Sequence, residues 1–219
     1  MSETASPEDF SRGPRIDERF VGEYQALNDA LHLGKPVIAY PACGEDISLS
    51  KVFPDSETYY IDTNEESIKY ARQMFERIQN NIYYTPQVTF DVVDVTDEER
   101  GLSEFDYVTC IEVIEHIPRT EAVGLLKFLN RFVKKGKNGQ QIVDQSKTKI
   151  FLSTPNRNSP TLGQDTPRNE HHCYEASAAE MYAFLTQHYQ AVTVLDENLV
   201  PQELGTTATP LVFKLEMPL

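Results

Sequence analysis

The sequence predicts an α/β protein with a doubly wound, mostly parallel seven-stranded sheet and helices on both faces. Short apolar, β-rich runs alternate along the chain with stretches whose apolar residues recur every three or four positions. Small or polar residues follow each of the first five β-rich runs. Because parallel sheets bind ligands outside the carboxyl ends of their strands, these residues are expected to share one ligand-binding edge.

The length and composition fit one α/β domain. The chain has 219 residues, of which 40% are hydrophobic, enough for a sizeable core. Its formal net charge of -14 lowers the expectation of broad contact with nucleic acid or anionic lipid. There is no signal peptide and no apolar run approaching the roughly 20 residues of a membrane span. We therefore expect a cytoplasmic protein without membrane contacts.

The amino-terminal part divides into an arm and a helix. Residues 1–15 are polar, with little to bury, and are predicted to be a flexible arm. Residues 16–219 are expected to form a single domain, which begins with a helix over 16–33 that has a periodic apolar face.

The stretch from residue 37 to residue 62 predicts a parallel βαβ unit. An apolar strand over 37–39 is broken by the small residues of 41–44, and a second strand over 58–61 ends at Asp62. Asp62 follows Gly44 by 18 positions, close to the spacing of roughly 20 found in nucleotide-binding units. The turn would approach a nucleotide-like ligand, and Asp62 would accept hydrogen bonds from ribose hydroxyls. The alternative is a structural turn with Asp62 as a helix cap.

The later elements continue the alternation of strand and helix. A helix over 64–80 begins with capping residues, and Ser177 is predicted to cap the last helix. Polar stretches over 136–149, 153–174 and 197–210 are expected to be an insertion and loops. The remaining predictions are strands over 88–93, 105–111, 150–152, 192–195 and 211–216, and helices over 121–134 and 178–189.

Five segments resemble the class I S-adenosylmethionine-dependent methyltransferases across roughly residues 20–196. They are PACG at 41–44, Asp62 within IDTNEESIKYAR, Asp94 within VVDV, FDYVTCIEVIEHIP at 105–118 and LSTPNR at 152–157. The resemblance implies a Rossmann-like fold and S-adenosylmethionine as the cofactor. By the same comparison the cofactor-binding residues are Ala42, Gly44, Asp46, Asp62, Asp94 and Ile111.

The chain departs from this family's pattern at the first strand. The acid usual at the end of that strand is replaced by Tyr40, or by Ala39 in another alignment, and the glycine usual two positions after Gly44 is Asp46. Asp46 either faces the amino group of the cofactor's methionine part or crowds the pocket. An alternative function is therefore a catalytically silent relative that binds the cofactor or a protein partner.

A second constellation of side chains predicts a metal site. If a helical turn begins at Glu112, the side chains of Glu112, Glu115 and His116 share one face of that turn. Two carboxylates and an imidazole are ligand types for a divalent ion. The loop after the fifth strand offers His171 and His172. The pattern resembles the metal-dependent enzymes that methylate the terminal 2′-hydroxyl of small RNAs, and the ubiquinone-pathway enzymes that methylate catechols. That resemblance favours His172 as the fourth ligand. Oxygen-rich ligation favours Mg²⁺ or Mn²⁺ as the ion.

We therefore expect O-methylation of a small-molecule acceptor, assisted by a metal. Without a metal, His116 or His172 is the candidate general base. The alternative for these acids and histidines is capping, hydrogen bonding or contact with the substrate in an enzyme that holds no metal. Methylation of an RNA 2′-hydroxyl is a further alternative; the metal motif favours it, whereas the acidity of the chain opposes it.

Overall fold

The structure is a computed structural model, and it describes 35–47, 49–53, 56–79, 87–93, 105–133, 148–160, 171–196, 201–207 and 210–218. Several predictions from the sequence lie outside these residues. They are the arm over 1–15, the helix over 16–33, Asp94 and nearly all of the insertion over 136–149.

The sheet has seven strands, as predicted. The strands are β1 (Val37–Pro41), β2 (Glu57–Asp62), β3 (Gln87–Val92), β4 (Tyr107–Ile111), β5 (Lys149–Thr154), β6 (Tyr189–Leu195) and β7 (Leu211–Pro218). They lie in the order β3-β2-β1-β4-β5-β7-β6. The first five strands pair in parallel, and β7 runs antiparallel between β5 and β6. The predicted mostly parallel, doubly wound sheet is confirmed.

Helices connect these strands. The helices are α1 (Leu49–Val52), α2 (Glu65–Gln79), α3 (Ala122–Asn130) and α4 (Ala178–Leu185), and a 3₁₀ turn covers Ile114–His116. The side chain of Asn64 accepts hydrogen bonds from the backbone of Glu66 and Ser67, which caps the start of α2 as the sequence predicts. Among the described residues, no helix is both long and apolar enough to cross a membrane.

Two hydrophobic clusters cover the two faces of the sheet. Neighbouring residues of one strand belong to different clusters: Ile38 lies in the cluster with α2, and Ala39 lies in the cluster with α3 and α4. Successive side chains of a strand point to opposite faces, so a strand that is covered on both sides is apolar throughout. All five residues of β4 are buried, which explains the unbroken β-rich run in the sequence.

The last helix is shorter than predicted. It ends at Leu185 instead of Tyr189, which begins β6. The backbone N–H of Thr186 donates to the carbonyl oxygen of Tyr182, and its hydroxyl donates to the carbonyl oxygens of Tyr182 and Ala183.

The strand order reverses between β1 and β4. In open sheets of this type, ligands bind in the crevice outside the carboxyl ends of the strands at such a reversal. The side chains that follow β1, β2, β4 and β5 are therefore the ones to consider as a site.

Candidate functional site

The turn after β1 is closed by Asp62 at the end of β2. The backbone N–H of Gly44 donates to Oδ2 of Asp62 over 2.8 Å, and the N–H of Asn64 donates to Oδ1 over 2.9 Å. Gly44 has φ +57, and a Cβ built on it would meet no described atom within 4 Å. The turn thus presents backbone next to open space, beside a half-buried carboxylate that has further acceptor capacity. This arrangement fits a nucleoside with ribose hydroxyls.

The two departures at this turn contact each other. The hydroxyl of Tyr40 donates to Oδ2 of Asp46 over 3.1 Å, while the tyrosine ring is buried in the core. A carboxylate at position 46 is thus held near the end of β1 by Tyr40. The charges of Asp46 and Asp62 both act on the thiol of Cys43, whose pKa is raised mainly by burial. This thiol is protonated at neutral pH, so it is no nucleophile.

Three further residues are predicted to bind the cofactor: Ile111, Ala42 and Asp94. Ile111 is buried at the end of β4, and Ala42 is half-buried with φ 56 in the turn after β1. Asp94 lies just beyond the last described residue after β3.

Glu112 is not the first residue of a helical turn, contrary to the sequence prediction. It has a left-handed backbone with φ 52, and the 3₁₀ turn begins only at Ile114. The backbone N–H of Glu112 donates to the carbonyl oxygen and the hydroxyl of Ser153, and that hydroxyl donates to Glu112 Oε1 over 2.9 Å. Glu112 is therefore positioned by β5 and not by helical spacing.

Glu115 is a buried carboxylate at the centre of the site. Its side chain is fully buried, and Oε2 accepts a hydrogen bond from the Thr154 hydroxyl over 3.1 Å. Oε1 has no hydrogen-bond partner among the described residues. Burial raises the pKa of Glu115, and the negative charges of Glu112 and Glu175 raise it further. A buried carboxylate oxygen without a donor indicates a place for a cation or for another donor.

Two histidines lie beside Glu115 with their Nδ1 atoms already engaged. Nδ1 of His116 lies 3.2 Å from the carbonyl oxygen of His171, and Nδ1 of His172 lies 2.8 Å from Oε1 of Glu175. Since both oxygens accept hydrogen bonds, each Nδ1 carries the proton in the neutral ring, and each Nε2 keeps a lone pair. Partial burial and the neighbouring His172 lower the pKa of His116, which favours its neutral form.

Glu115, His116 and His172 form a cluster suited to a metal ion. One ligand atom from each lies within 4.8 Å of the others. The two imidazole rings meet edge to face, with their centroids 4.7 Å apart. The donor set of one carboxylate and two imidazoles, together with the partnerless Glu115 oxygen, fits a divalent cation. Glu112 is outside this group of three, and the carbonyl oxygen of His171 accepts a hydrogen bond from Nδ1 of His116.

The sequence analysis missed the residues that orient these side chains. Ser153 and Thr154 at the end of β5 donate to the carboxylates of Glu112 and Glu115, and Glu175 accepts from His172. The signal for the two hydroxyl residues was available, because they end the strand that pairs with β4 in parallel. Their position at the carboxyl end of β5 places them beside the residues that follow β4.

Residues 43–136 match the family model described as "Methyltransferase domain". The matched stretch contains Gly44, Asp62 and the 3₁₀ turn with Glu115. The chain carries a methyltransferase domain. The predicted enzyme class, an S-adenosylmethionine-dependent methyltransferase, is confirmed, whereas the methyl acceptor stays a prediction.

Solved structures agree with the fold of this methyltransferase domain. The methyltransferase domain of a bacterial Hen1 is 18% identical, with a TM-score of 0.59 over 92% of this chain and 99% of that chain. A small RNA methyltransferase HEN1 is 20% identical, with a TM-score of 0.65, and the match covers 98% of this chain but 27% of that chain. Magnesium protoporphyrin IX methyltransferase from Synechocystis, solved with bound S-adenosylmethionine, is 17% identical, with a TM-score of 0.52 over 92% of this chain and 80% of that chain. No curated protein sequence matches this methyltransferase domain.

Proposed function

We propose that this methyltransferase transfers the methyl group of S-adenosylmethionine to a hydroxyl oxygen with the help of a divalent metal ion. Glu115, His116 and His172 would bind the ion, with Glu112 as a fourth ligand. The observation that carries the proposal is the convergence of three ligand atoms within 4.8 Å around a buried carboxylate oxygen that has no described partner.

The cofactor would lie across the carboxyl ends of β1 and β2. Bound S-adenosylmethionine would supply an activated methyl group on its sulfonium. Asp62 would accept hydrogen bonds from the ribose hydroxyls, and its existing bond from the Gly44 amide would hold the carboxylate in place. The open space beside Gly44 leaves room for the ligand to approach the backbone. Ala42, Asp46, Asp94 and Ile111 are proposed as further contacts.

The metal site would lie at the carboxyl ends of β4 and β5. A bound divalent cation would lower the pKa of the acceptor hydroxyl and hold its oxygen. The fixed tautomers of His116 and His172 present two neutral nitrogen donors, and Thr154 holds the second oxygen of Glu115. Oxygen-rich ligation favours Mg²⁺ or Mn²⁺, and the imidazoles also suit Co²⁺, Fe²⁺ or Zn²⁺.

The preferred acceptor is a small molecule that carries a hydroxyl group. The net charge of -14 opposes a broad electrostatic contact with a polyanion. The second candidate is the terminal ribose hydroxyl of a small RNA. It is favoured by the names of two solved structures described above, which are both Hen1 proteins, one of them named as a small RNA methyltransferase.

The test is methyl transfer from labelled S-adenosylmethionine to catechols, sugars, lipid precursors and short RNAs, with and without Mg²⁺ or Mn²⁺. We expect label in a hydroxyl-bearing small molecule, a loss of transfer with chelator and a return of transfer with added ion. Transfer that chelator leaves unchanged would contradict the metal and would make Nε2 of His116 or His172 the candidate general base. Cofactor binding without transfer to any acceptor would favour a catalytically silent protein.

A further inference from the structure

Glu175 is a buried carboxylate directly behind His172. Its side chain is 4% exposed, and Oε1 lies 2.8 Å from Nδ1 of His172, whose side chain is 11% exposed. Carboxylates are rarely buried to this extent unless they are paired, because burial removes the water that stabilises their charge. The bond to the imidazole supplies one partner for that charge, and it constrains the histidine in return.

This hydrogen bond fixes both the tautomer and the direction of the His172 ring. An ionised carboxylate only accepts hydrogen bonds, so Nδ1 of His172 carries the proton and Nε2 does not. The ring also meets His116 edge to face at 4.7 Å between centroids, which limits rotation about its side-chain bonds. Without Glu175, the neutral ring could place its proton on either nitrogen, and only one of the two tautomers offers Nε2 as a ligand.

The backbone around Glu175 is anchored on both sides. The N–H groups of Cys173 and Tyr174 donate to the carbonyl oxygen of Glu115, over 2.7 and 3.3 Å. Ala176 forms a parallel bridge with Asn156 after β5, and Ser177 begins α4 with a capping box. The segment that carries His172 and Glu175 is therefore attached to the same 3₁₀ turn that carries Glu115 and His116.

We propose that Glu175 is a positioning residue of the metal site, holding Nε2 of His172 towards the point shared with Glu115 and His116. The inference rests on the proposed metal site and adds a residue that makes no contact with the ion itself. Outer carboxylates that accept from a metal-binding histidine affect metal affinity by about 10–100-fold when they are replaced.

The experiment measures Co²⁺ affinity of the full chain by calorimetry and by the visible absorption of the bound ion. Glu175→Met removes the acceptor while keeping an unbranched buried side chain, and we expect Co²⁺ to bind about 10–100-fold more weakly. Glu175→Gln keeps an acceptor oxygen without the charge, and it should lose less Co²⁺ affinity than Glu175→Met. Nitrogen-15 spectra of the metal-free protein should show His172 with its proton on Nδ1 in the parent and a mixture of tautomers in Glu175→Met.

Glu180→Gln is the matched control, because it removes a carboxylate from the first turn of α4 that contacts Ser177 and Arg157 but none of the three clustered residues. It should bind Co²⁺ as the parent does. S-adenosylhomocysteine affinity, measured alongside, should be unchanged in every variant. Parent-like Co²⁺ affinity and tautomer in Glu175→Met would overturn the positioning role. Failure of the parent to bind any divalent ion would instead overturn the proposed metal site.

Discussion

At the scale of single residues, strained backbone lies where the proposed ligands would bind. Two described non-glycine residues have left-handed φ values: Ala42 directly after β1 and Glu112 directly after β4. Such conformations cost on the order of 1–3 kcal/mol each and persist only where the surroundings hold them. The backbone of Glu112 is held by two hydrogen bonds to Ser153. Because β1 and β4 are the neighbours at which strand order reverses, the strain and the proposed site coincide.

The role of Asp62 in cofactor binding can be tested with one isosteric change. Asp62→Asn removes the charge from hydrogen bonds that are each worth about 1.5–3 kcal/mol when one partner is ionised. We expect S-adenosylhomocysteine to bind about tenfold more weakly or worse, as measured by calorimetry. Glu57→Gln, at the opposite end of the same strand, should bind with parental affinity, because its carboxylate contacts Tyr59 far from the turn. Equal affinities in Asp62→Asn and the parent would remove Asp62 from the site.

At the scale of elements, local pattern predicts the strands better than the site. Seven strands could be located from β-rich runs, and a central strand such as β4 has an unbroken run because it is buried on both faces. The conformation of Glu112 could not be predicted in this way, since its partner Ser153 is 41 positions away in the sequence. The same limit applies to Glu115. Burial and the charges of Glu112 and Glu175 raise its pKa, and Thr154, which donates to it, is 39 positions away in the sequence. Residue types pointed to three side chains that the structure brings together, but the contacts that orient them come from another strand and another loop.

The start of α4 gives a prediction about one element. Ser177 and Glu180 form a reciprocal capping box, and Arg157 pairs with Glu180 at 2.6 Å. Ser177→Ala should lower the free energy of unfolding by about 1 kcal/mol in urea titrations. Thr186→Ala, at the other end of the helix, is the control. It should change the free energy of unfolding by no more than about 0.5 kcal/mol, because the hydrogen bonds of its hydroxyl are exposed and water can replace them.

The same capping box predicts a response to acid. Hydrogen bonds from Ser177, followed by those from Arg157, lower the pKa of Glu180 to about 2, against the burial that raises it. The contribution of Glu180 to the free energy of unfolding is therefore complete at a pH above the ordinary pKa of about 4.5, and it is lost as the pH falls towards 2. Glu180→Gln should lose less stability than the parent between pH 5 and pH 3. Identical losses in the two proteins would contradict this account.

At the scale of the whole molecule, stability is expected to depend on how the negative charge near the site is neutralised. Burial, then the charge of Glu112, and to a smaller extent that of Glu175 raise the pKa of Glu115 to about 8. In the unfolded chain this carboxyl ionises near 4.5, its ordinary value. The folded state therefore keeps a proton that the unfolded state releases between these pH values. It follows that the contribution of Glu115 to stability falls as the pH rises from about 4.5 towards 8.

A divalent ion should reverse this loss, because it binds the ionised carboxylate. For chelator-treated protein, we expect the free energy of unfolding to fall between pH 5.5 and pH 8, and to fall less in Glu115→Gln. Adding Mn²⁺ at 100 times its dissociation constant should stabilise the parent at pH 8 by about 2.7 kcal/mol, and it should leave Glu115→Gln nearly unchanged. Glu57→Gln should follow the parent in both respects, because Glu57 lies at the other end of the sheet from the cluster. If the parent and Glu115→Gln show the same pH dependence and the same response to Mn²⁺, then Glu115 neither holds a proton in the folded state nor binds the ion.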